Sequence, residues 1–258
     1  MADASPLTPD FGEVAESYDR LRPVDKKWWE LFDVLVAEGD LIGRRTLDVG
    51  CGTGTLAGAL AERGGGKVWG VDVSPEMLAE AKEKHPRVRF KEGRAEALPF
   101  KGSWFERAVM RLSLHLLDRP RALAEAARVL VPGGKLVVAT FDPAHFAGYW
   151  LNELFPSLEA IDLARFPDAA ALEAELSHAG FRGIRVIALG QDAAATRAEA
   201  LERIQRRYIS TLRLLGEEEF AQGLALAEDT LPAELRYRLE WLVVSAETAP
   251  LDAVRSRS

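Results

Sequence analysis

The segment Thr46-Leu47-Asp48-Val49-Gly50-Cys51-Gly52-Thr53-Gly54 constrains the fold more than any other part of the chain, because an apolar strand with an acid near its end breaks there into three alternating glycines. Without a Cβ, Gly50, Gly52 and Gly54 let the backbone turn sharply and approach a ligand more closely than any other residue permits. Thr55-Leu56-Ala57-Gly58-Ala59-Leu60 reads as the first turns of a helix whose free N–H groups point into the same cleft. The pattern predicts a nucleotide-sized cleft at a strand-to-helix turn, with Cys51 as a small packing residue within the loop rather than a nucleophile.

Dinucleotide-binding proteins and methyltransferases both use such a turn, and two details separate them. The dinucleotide fingerprint wants its third glycine where this chain has Thr55, so the spacing here is Gly-x-Gly-x-Gly. Asp48 also stands just before the turn, where a pyrophosphate would meet a like charge in a sparsely hydrated cleft. A ligand bearing an ammonium and a sulfonium suits that carboxylate better, and S-adenosylmethionine carries both. Downstream, Lys67-Val68-Trp69-Gly70-Val71-Asp72-Val73 reads as a second strand ending in an acid about 20 positions beyond the glycines, where a ribose-binding carboxylate is expected. A strand-end acid in a solvated turn would look the same. Ser74-Pro75-Glu76 reads as a helix start, with Ser74 as N-cap and Pro75 in the first helical position.

The ordered motifs LDVGCGTG, GVDVSPEMLAEA, GRAEALPF and RVLVPGGKLVV resemble the class I S-adenosylmethionine-dependent methyltransferases. Within that family the chain is similar to the small-molecule group that includes the quinone-ring C-methyltransferases, over roughly Phe11 to Asp142. The resemblance implies an α/β fold: a Rossmann-like doubly wound sheet, mostly parallel with an antiparallel last strand, plus helical N-terminal and cap elements. It implies S-adenosylmethionine as cofactor and S-adenosylhomocysteine as product. By family position, Tyr18 of the Tyr18-Asp19 pair closes over the methionine end, and Arg22 is near enough to pair with the cofactor carboxylate. Asp48, Gly50, Cys51, Gly52 and Gly54 form the cofactor loop, Asp72 the ribose acceptor, and Val73 and Met77 the adenine pocket, although Met77 would equally serve helix-on-sheet packing. Relatives commonly carry an Asp where this chain has Arg94, which has no acceptor. The Ala95 N–H and the Glu96 carboxylate are left for the adenine. Phe105-Glu106 replaces the common Phe-Asp pair, and Met110 falls beside the expected methyl position. His115, near donor and acceptor in relatives, is the general-base candidate; a lone His among apolar residues can also be packing.

Composition fits one enzyme-sized unit: 258 residues, 48% hydrophobic and 28% charged. A formal net charge of −7 argues against an extended nucleic-acid surface. The single cysteine excludes an internal disulfide and any multi-cysteine metal site, and no His and carboxylate cluster has ligand spacing, so no metal is expected. No leader pattern and no run of about 18 apolar residues is present, which predicts a cytoplasmic protein without a membrane partner.

Two helices, Phe11 to Leu21 and Asp25 to Ala37, precede the core, so that residues 1–40 close over the cofactor. Strands are expected near Thr46–Val49, Val68–Val73, Val88–Lys91, Phe105–Leu112 and Lys135–Phe141, alternating with helices as in a parallel sheet covered on both faces. The core spans 41–192, with an aromatic insertion at about 143–166, a helix from Pro167 to Ala179 and a strand from Ile184 to Leu189. Helices Thr196 to Leu215 and Glu217 to Ala227 form a cap over 193–235, offering Arg207, Tyr208, Ser210 and Thr211 to substrate. Residues 236–258 return as a last strand, Arg238 to Ala246, and a frayed Arg-Ser tail. The expected activity is transfer of a methyl group to O, N or C of a small-molecule acceptor, aromatic or hydrophobic, by in-line displacement. A non-catalytic S-adenosylmethionine- or S-adenosylhomocysteine-binding protein, and a nucleotide-cofactor oxidoreductase, stand as alternatives.

Overall fold

The computed structural model describes residues 15–64 and 66–250. The start of the first expected helix, Gly65 and the Arg-Ser tail lie outside the described residues. Helix α1 (Ala15–Leu21) leads to α2 (Lys26–Gly39), whose N-cap Asp25 accepts the Trp28 N–H at 3.0 Å and whose amphipathic sequence buries Trp28, Leu31, Phe32 and Leu35. Four strands then alternate with helices: β1 (Thr46–Val49), α3 (Thr55–Gly64), β2 (Val68–Asp72), α4 (Pro75–Lys84), β3 (Arg89–Glu92) and β4 (Phe105–Arg111). Ser74 caps α4 as expected, accepting the Met77 N–H at 3.2 Å. The chain continues through α5 (Arg119–Val129), β5 (Leu130–Phe141), α6 (Leu158–Arg165), α7 (Ala169–His178), β6 (Phe181–Thr196), α8 (Arg197–Gln205), α9 (Glu217–Thr230) and β7 (Glu234–Thr248).

The strands form a seven-stranded sheet in the order β3-β2-β1-β4-β5-β7-β6, parallel through β5, with β7 antiparallel to both its neighbours. Alternate side chains face opposite sides. Leu47, Met110 and Val138 join the core packed under α5 and α7, while Val109, Val137 and Val243 join the core packed under α2 and α3. Strand order reverses between β1 and β4, and a doubly wound sheet opens its ligand crevice at the carboxyl ends of the strands flanking that point.

Two expectations about the second half are corrected. The segment expected as one helix, Thr196 to Leu215, is α8 followed by a break at Arg207, which has a left-handed φ of 46°, and a short 3-10 turn at Thr211–Arg213. The helix stops in a Schellman-type end: with Arg207 left-handed, the Tyr208 N–H turns back to the Arg203 carbonyl at 3.0 Å and the Arg207 N–H to the Ile204 carbonyl at 2.7 Å, after which the Tyr208 and Ser210 side chains bond Tyr149 and His115. The aromatic insertion, expected without regular elements of its own, contains α6, and Tyr149, Phe155 and Leu158 share a third core with Ile204, Leu212 and Phe220. Strands β6 and β7 are longer than expected, because their ladder runs on from Leu189↔Trp241 to Thr196↔Glu234 and carries α8 and α9 between its ends.

Candidate active site

The carboxyl ends of β1, β2 and β4 frame a cleft of about 780 Å³, within the range of ligand pockets and large enough for a nucleoside cofactor beside a small acceptor. Its floor is the glycine loop. Gly50, Gly52 and Gly54 have φ of 72°, 52° and 79°, the left-handed region that favours glycine. A Cβ on Gly50 would lie 2.5 Å from Cβ of Ser113, and one on Gly54 would lie 2.6 Å from Phe90, whereas one on Gly52 would meet nothing within 4 Å. Gly50 and Gly54 therefore serve the packing of the loop, and Gly52 leaves backbone open to the cleft.

Asp72 ends β2 facing this loop. Its Oδ2 accepts the Gly52 N–H at 2.8 Å and its Oδ1 accepts the Ser74 N–H at 3.0 Å, so one carboxylate fixes both the loop and the start of α4. Each oxygen keeps a second lone pair for a ligand hydroxyl. Burial raises the Asp72 pKa above the usual carboxylate range, against the pull of the N–H groups of Ser74, Gly52 and Val73. Asp48 is 2% exposed beneath the loop, and its Oδ2 has no hydrogen-bond partner. Burial pushes its pKa up to about 7; Arg111 opposes the shift and Asp72 adds to it. A buried carboxylate with an orphaned oxygen is complementary to a cationic ligand group.

Val73, 47% exposed, and Met77, 3% exposed, line the next part of the cleft with Ala95 and Glu96. Glu96 is already engaged: its Oε1 accepts the Asp118 N–H at 3.1 Å and its Oε2 lies 3.5 Å from Arg94 Nε. Tyr18 lines the cleft from α1, with the Arg22 guanidinium 4.1 Å from its ring centre; Arg22 donates to the Tyr208 carbonyl. Five expected residues do not line the cleft: Asp48 and Gly54 lie beneath it, and Cys51, Met110 and Arg207 point elsewhere. Cys51 packs its Sγ toward Gly70, where an added Cβ would lie 2.8 Å away. Met110 is fully buried in the core, because strand alternation turns its neighbour Arg111 to the opposite face. Arg207 pairs with Glu217 at 2.7 Å and lies over Phe220, while Tyr208, Ser210 and Thr211 do line the cleft.

His115 sits in the 3-10 turn Leu114–Leu116 after β4 and lines the cleft. Its ring stacks on Phe166 with centres 4.1 Å apart, Nε2 is 3.3 Å from Ser210 Oγ, and the buried Nδ1 has no partner. Burial lowers its pKa to about 3, with Arg165 and Arg22 contributing, so the ring is neutral.

Sequence reasoning missed Trp28, Phe141 and Trp241 on the far wall, and although it set the strand end Met110-Arg111-Leu112 beside the methyl position and the insertion with Tyr149 near the cleft mouth, it named neither Arg111 nor Tyr149 as a site residue. The available signal was Arg111 itself, a charge closing the apolar run Ala108-Val109-Met110. Among the described residues no group of three or more His, Cys, Asp or Glu could hold a metal ion, and no helix is long and apolar enough to cross a membrane.

The sequence model of a family described as a methyltransferase domain matches residues 46–134. A demethylmenaquinone methyltransferase of Thermus thermophilus is 33% identical over 201 residues, covering 66% of this chain and 90% of the relative. One from Chlorobaculum tepidum is 39% identical over 132 residues, 48% of this chain and 54% of the relative. The chain spans little more than half the length of several curated relatives it matches, from 54% to 60%. Among solved structures, phosphoethanolamine N-methyltransferase 2 of Haemonchus contortus, in complex with S-adenosylhomocysteine, superposes with a TM-score of 0.61 at 21% identity, over 92% of this chain and 57% of that one.

Proposed function

This chain belongs to the class I S-adenosylmethionine-dependent methyltransferases, and from that premise we propose that it moves a methyl group from S-adenosylmethionine to O, N or C of a small-molecule acceptor. The observation that carries the reading is the open Gly52 backbone tied to Asp72, with the unpartnered Asp48 oxygen buried below it. These residues fit the cofactor: Asp72 would hold the ribose hydroxyls, Val73, Met77 and the Ala95 N–H the adenine, and Asp48 and Tyr18 the cationic methionine end. When bound, the cofactor supplies a methyl group already activated by its sulfonium.

The protein's own share is then positioning and exclusion of water. Phe141, Phe146 and Phe166 give the acceptor half an apolar aromatic lining, which supports a planar or hydrophobic acceptor. Relatives are named for acceptors as different as demethylmenaquinone and malonyl-[acyl-carrier protein], so the family leaves the acceptor open. His115 is the base proposed for acceptors that must lose a proton, through its unpartnered Nδ1.

Calorimetric titration with S-adenosylhomocysteine tests the reading. Asp72→Ala should lose roughly 1.5–3 kcal/mol of binding through lost hydrogen bonds to a charged group, and unchanged affinity would remove Asp72 from the site. His115→Ala should retain that affinity while lowering turnover in a labelled-methyl assay. Cofactor binding with no methyl incorporation into any metabolite pool would favour the non-catalytic alternative.

A further inference from the structure

Arg111 closes β4 on the same face of the sheet as Asp48, and the reaction as proposed gives it no task. Its guanidinium lines the cleft but, among the described residues, makes no ion pair and no side-chain hydrogen bond. Two rings flank it, with the Trp28 and Trp241 centres 5.9 and 5.8 Å from the guanidinium carbon. The guanidinium is half-buried and has the Asp48 carboxylate as a nearby opposite charge, but among the described residues its N–H groups find no acceptor, and arginine cannot escape that by releasing its proton. Such a fork is kept where a ligand supplies the acceptors.

The direction of the side chain says which ligand. Strand order runs β2-β1-β4-β5-β7, so Gly50 and Asp72 lie to one side of Arg111 and Trp241 lies two strands to the other. The Trp241 ring packs on Phe141 of β5, the strand next to β4, so the guanidinium beside it borders the half of the cleft across β4 from the glycine loop. That half is built rather than incidental. The Trp241 indole N–H donates to Gln191 Oε1 at 2.8 Å, and the Gln191 amide donates to the Lys27 carbonyl at 2.9 Å and to Glu30 at 3.0 Å. Gln191 is 4% exposed and fixes the ring that faces Arg111. Phe141 packs on Trp241 with centres 4.3 Å apart, extending the flat wall.

We infer that the methyl acceptor is a planar carboxylic acid, its carboxylate held by the Arg111 fork and its ring system laid against Trp241 and Phe141. This rests on the methyltransferase reading of the cleft. An arginine fork takes a carboxylate through two parallel N–H bonds, which a neutral ester or amide cannot reproduce.

The test is calorimetry on the protein saturated with S-adenosylhomocysteine, titrated with benzoate, 4-hydroxybenzoate and 2-naphthoate and with the methyl ester of each. At least one acid should bind about tenfold or more tightly than its ester, as expected for a charge-assisted bidentate pair. Arg111→Gln should abolish that preference and Arg111→Lys should restore part of it, with S-adenosylhomocysteine affinity within about twofold of wild type in both. Equal binding of acids and esters, including no binding by any of them, overturns the inference. A large loss of S-adenosylhomocysteine affinity in Arg111→Gln also overturns it, by assigning the cation to the cofactor carboxylate. Failure of the wild-type protein to bind S-adenosylhomocysteine would instead overturn the methyltransferase reading itself.

Discussion

A single carboxylate, Asp48, costs the ligand-free fold stability that the proposed cofactor would offset. The unfolded chain ionises it near its ordinary value of 3.8, whereas burial holds the folded-state value at about 7. Between those values the folded protein binds the extra proton, so the contribution of Asp48 to stability declines as pH rises from about 3.8 to 7. Asp48→Asn should therefore stabilise the ligand-free protein at pH 7 by up to roughly 4 kcal/mol, at about 1.4 kcal/mol for each pH unit between the two values. The same variant should bind S-adenosylhomocysteine more weakly. Urea melts of both proteins at pH 4 and pH 7 decide it: a stability difference that does not grow with pH would mean that the carboxylate carries no such cost.

At the level of elements, the short helix α1 owes its position to what it touches. Seven residues make too few turns to be stable alone. On the core side the Asp19 carboxylate accepts from Thr53 Oγ1 at 2.5 Å, Thr55 Oγ1 at 3.3 Å and Lys84 Nζ at 3.1 Å; on the other side Arg20 pairs with Glu202 of α8 and Arg22 bonds the Tyr208 carbonyl. The helix thus joins the glycine loop to the segment above the cleft. Asp19→Ala removes the core-side attachment and leaves the buried Thr53 hydroxyl without its acceptor, at a cost of about 1–2 kcal/mol. Tryptic cleavage after Arg20 should accelerate accordingly, and unchanged cleavage would show that α1 is held by packing alone. Elsewhere, Asp162 accepts from both Arg165 and Thr211, tying α6 to the turn after α8 inside the protein. A buried pair of this kind fixes a position more than it adds stability.

The whole molecule carries the signature of two histidines buried neutral. Burial lowers the His115 and His145 pKa values to about 3 and about 4, from an ordinary value of 6.5. The unfolded chain takes up these protons first, so the stability tied to neutral imidazoles is complete above about pH 6.5 and is lost as pH falls toward 4 and 3. His115→Asn should flatten that acid limb in thermal melts between pH 4 and 7; an unaltered limb would place its origin elsewhere. The same division between local and global physics separates what was legible in the chain from what was not. Glycine spacing and the Ser74-Pro75 cap act through neighbours a few residues away, and the acids Asp48 and Asp72 stand at strand ends at a legible spacing from the glycines, so the sequence determined the cofactor loop, the first five strands and the family. The break at Arg207, the pairing of the insertion with the cap helices, and the burial of Met110 against the exposure of Arg111 to the cleft were decided by tertiary structure. Each depends on a partner that only folding brings near: Tyr149 for Tyr208, Phe155 for Phe220, Trp241 for Arg111. Periodicity reports which positions are apolar, and it takes the packed sheet to show which polar group faces the cleft.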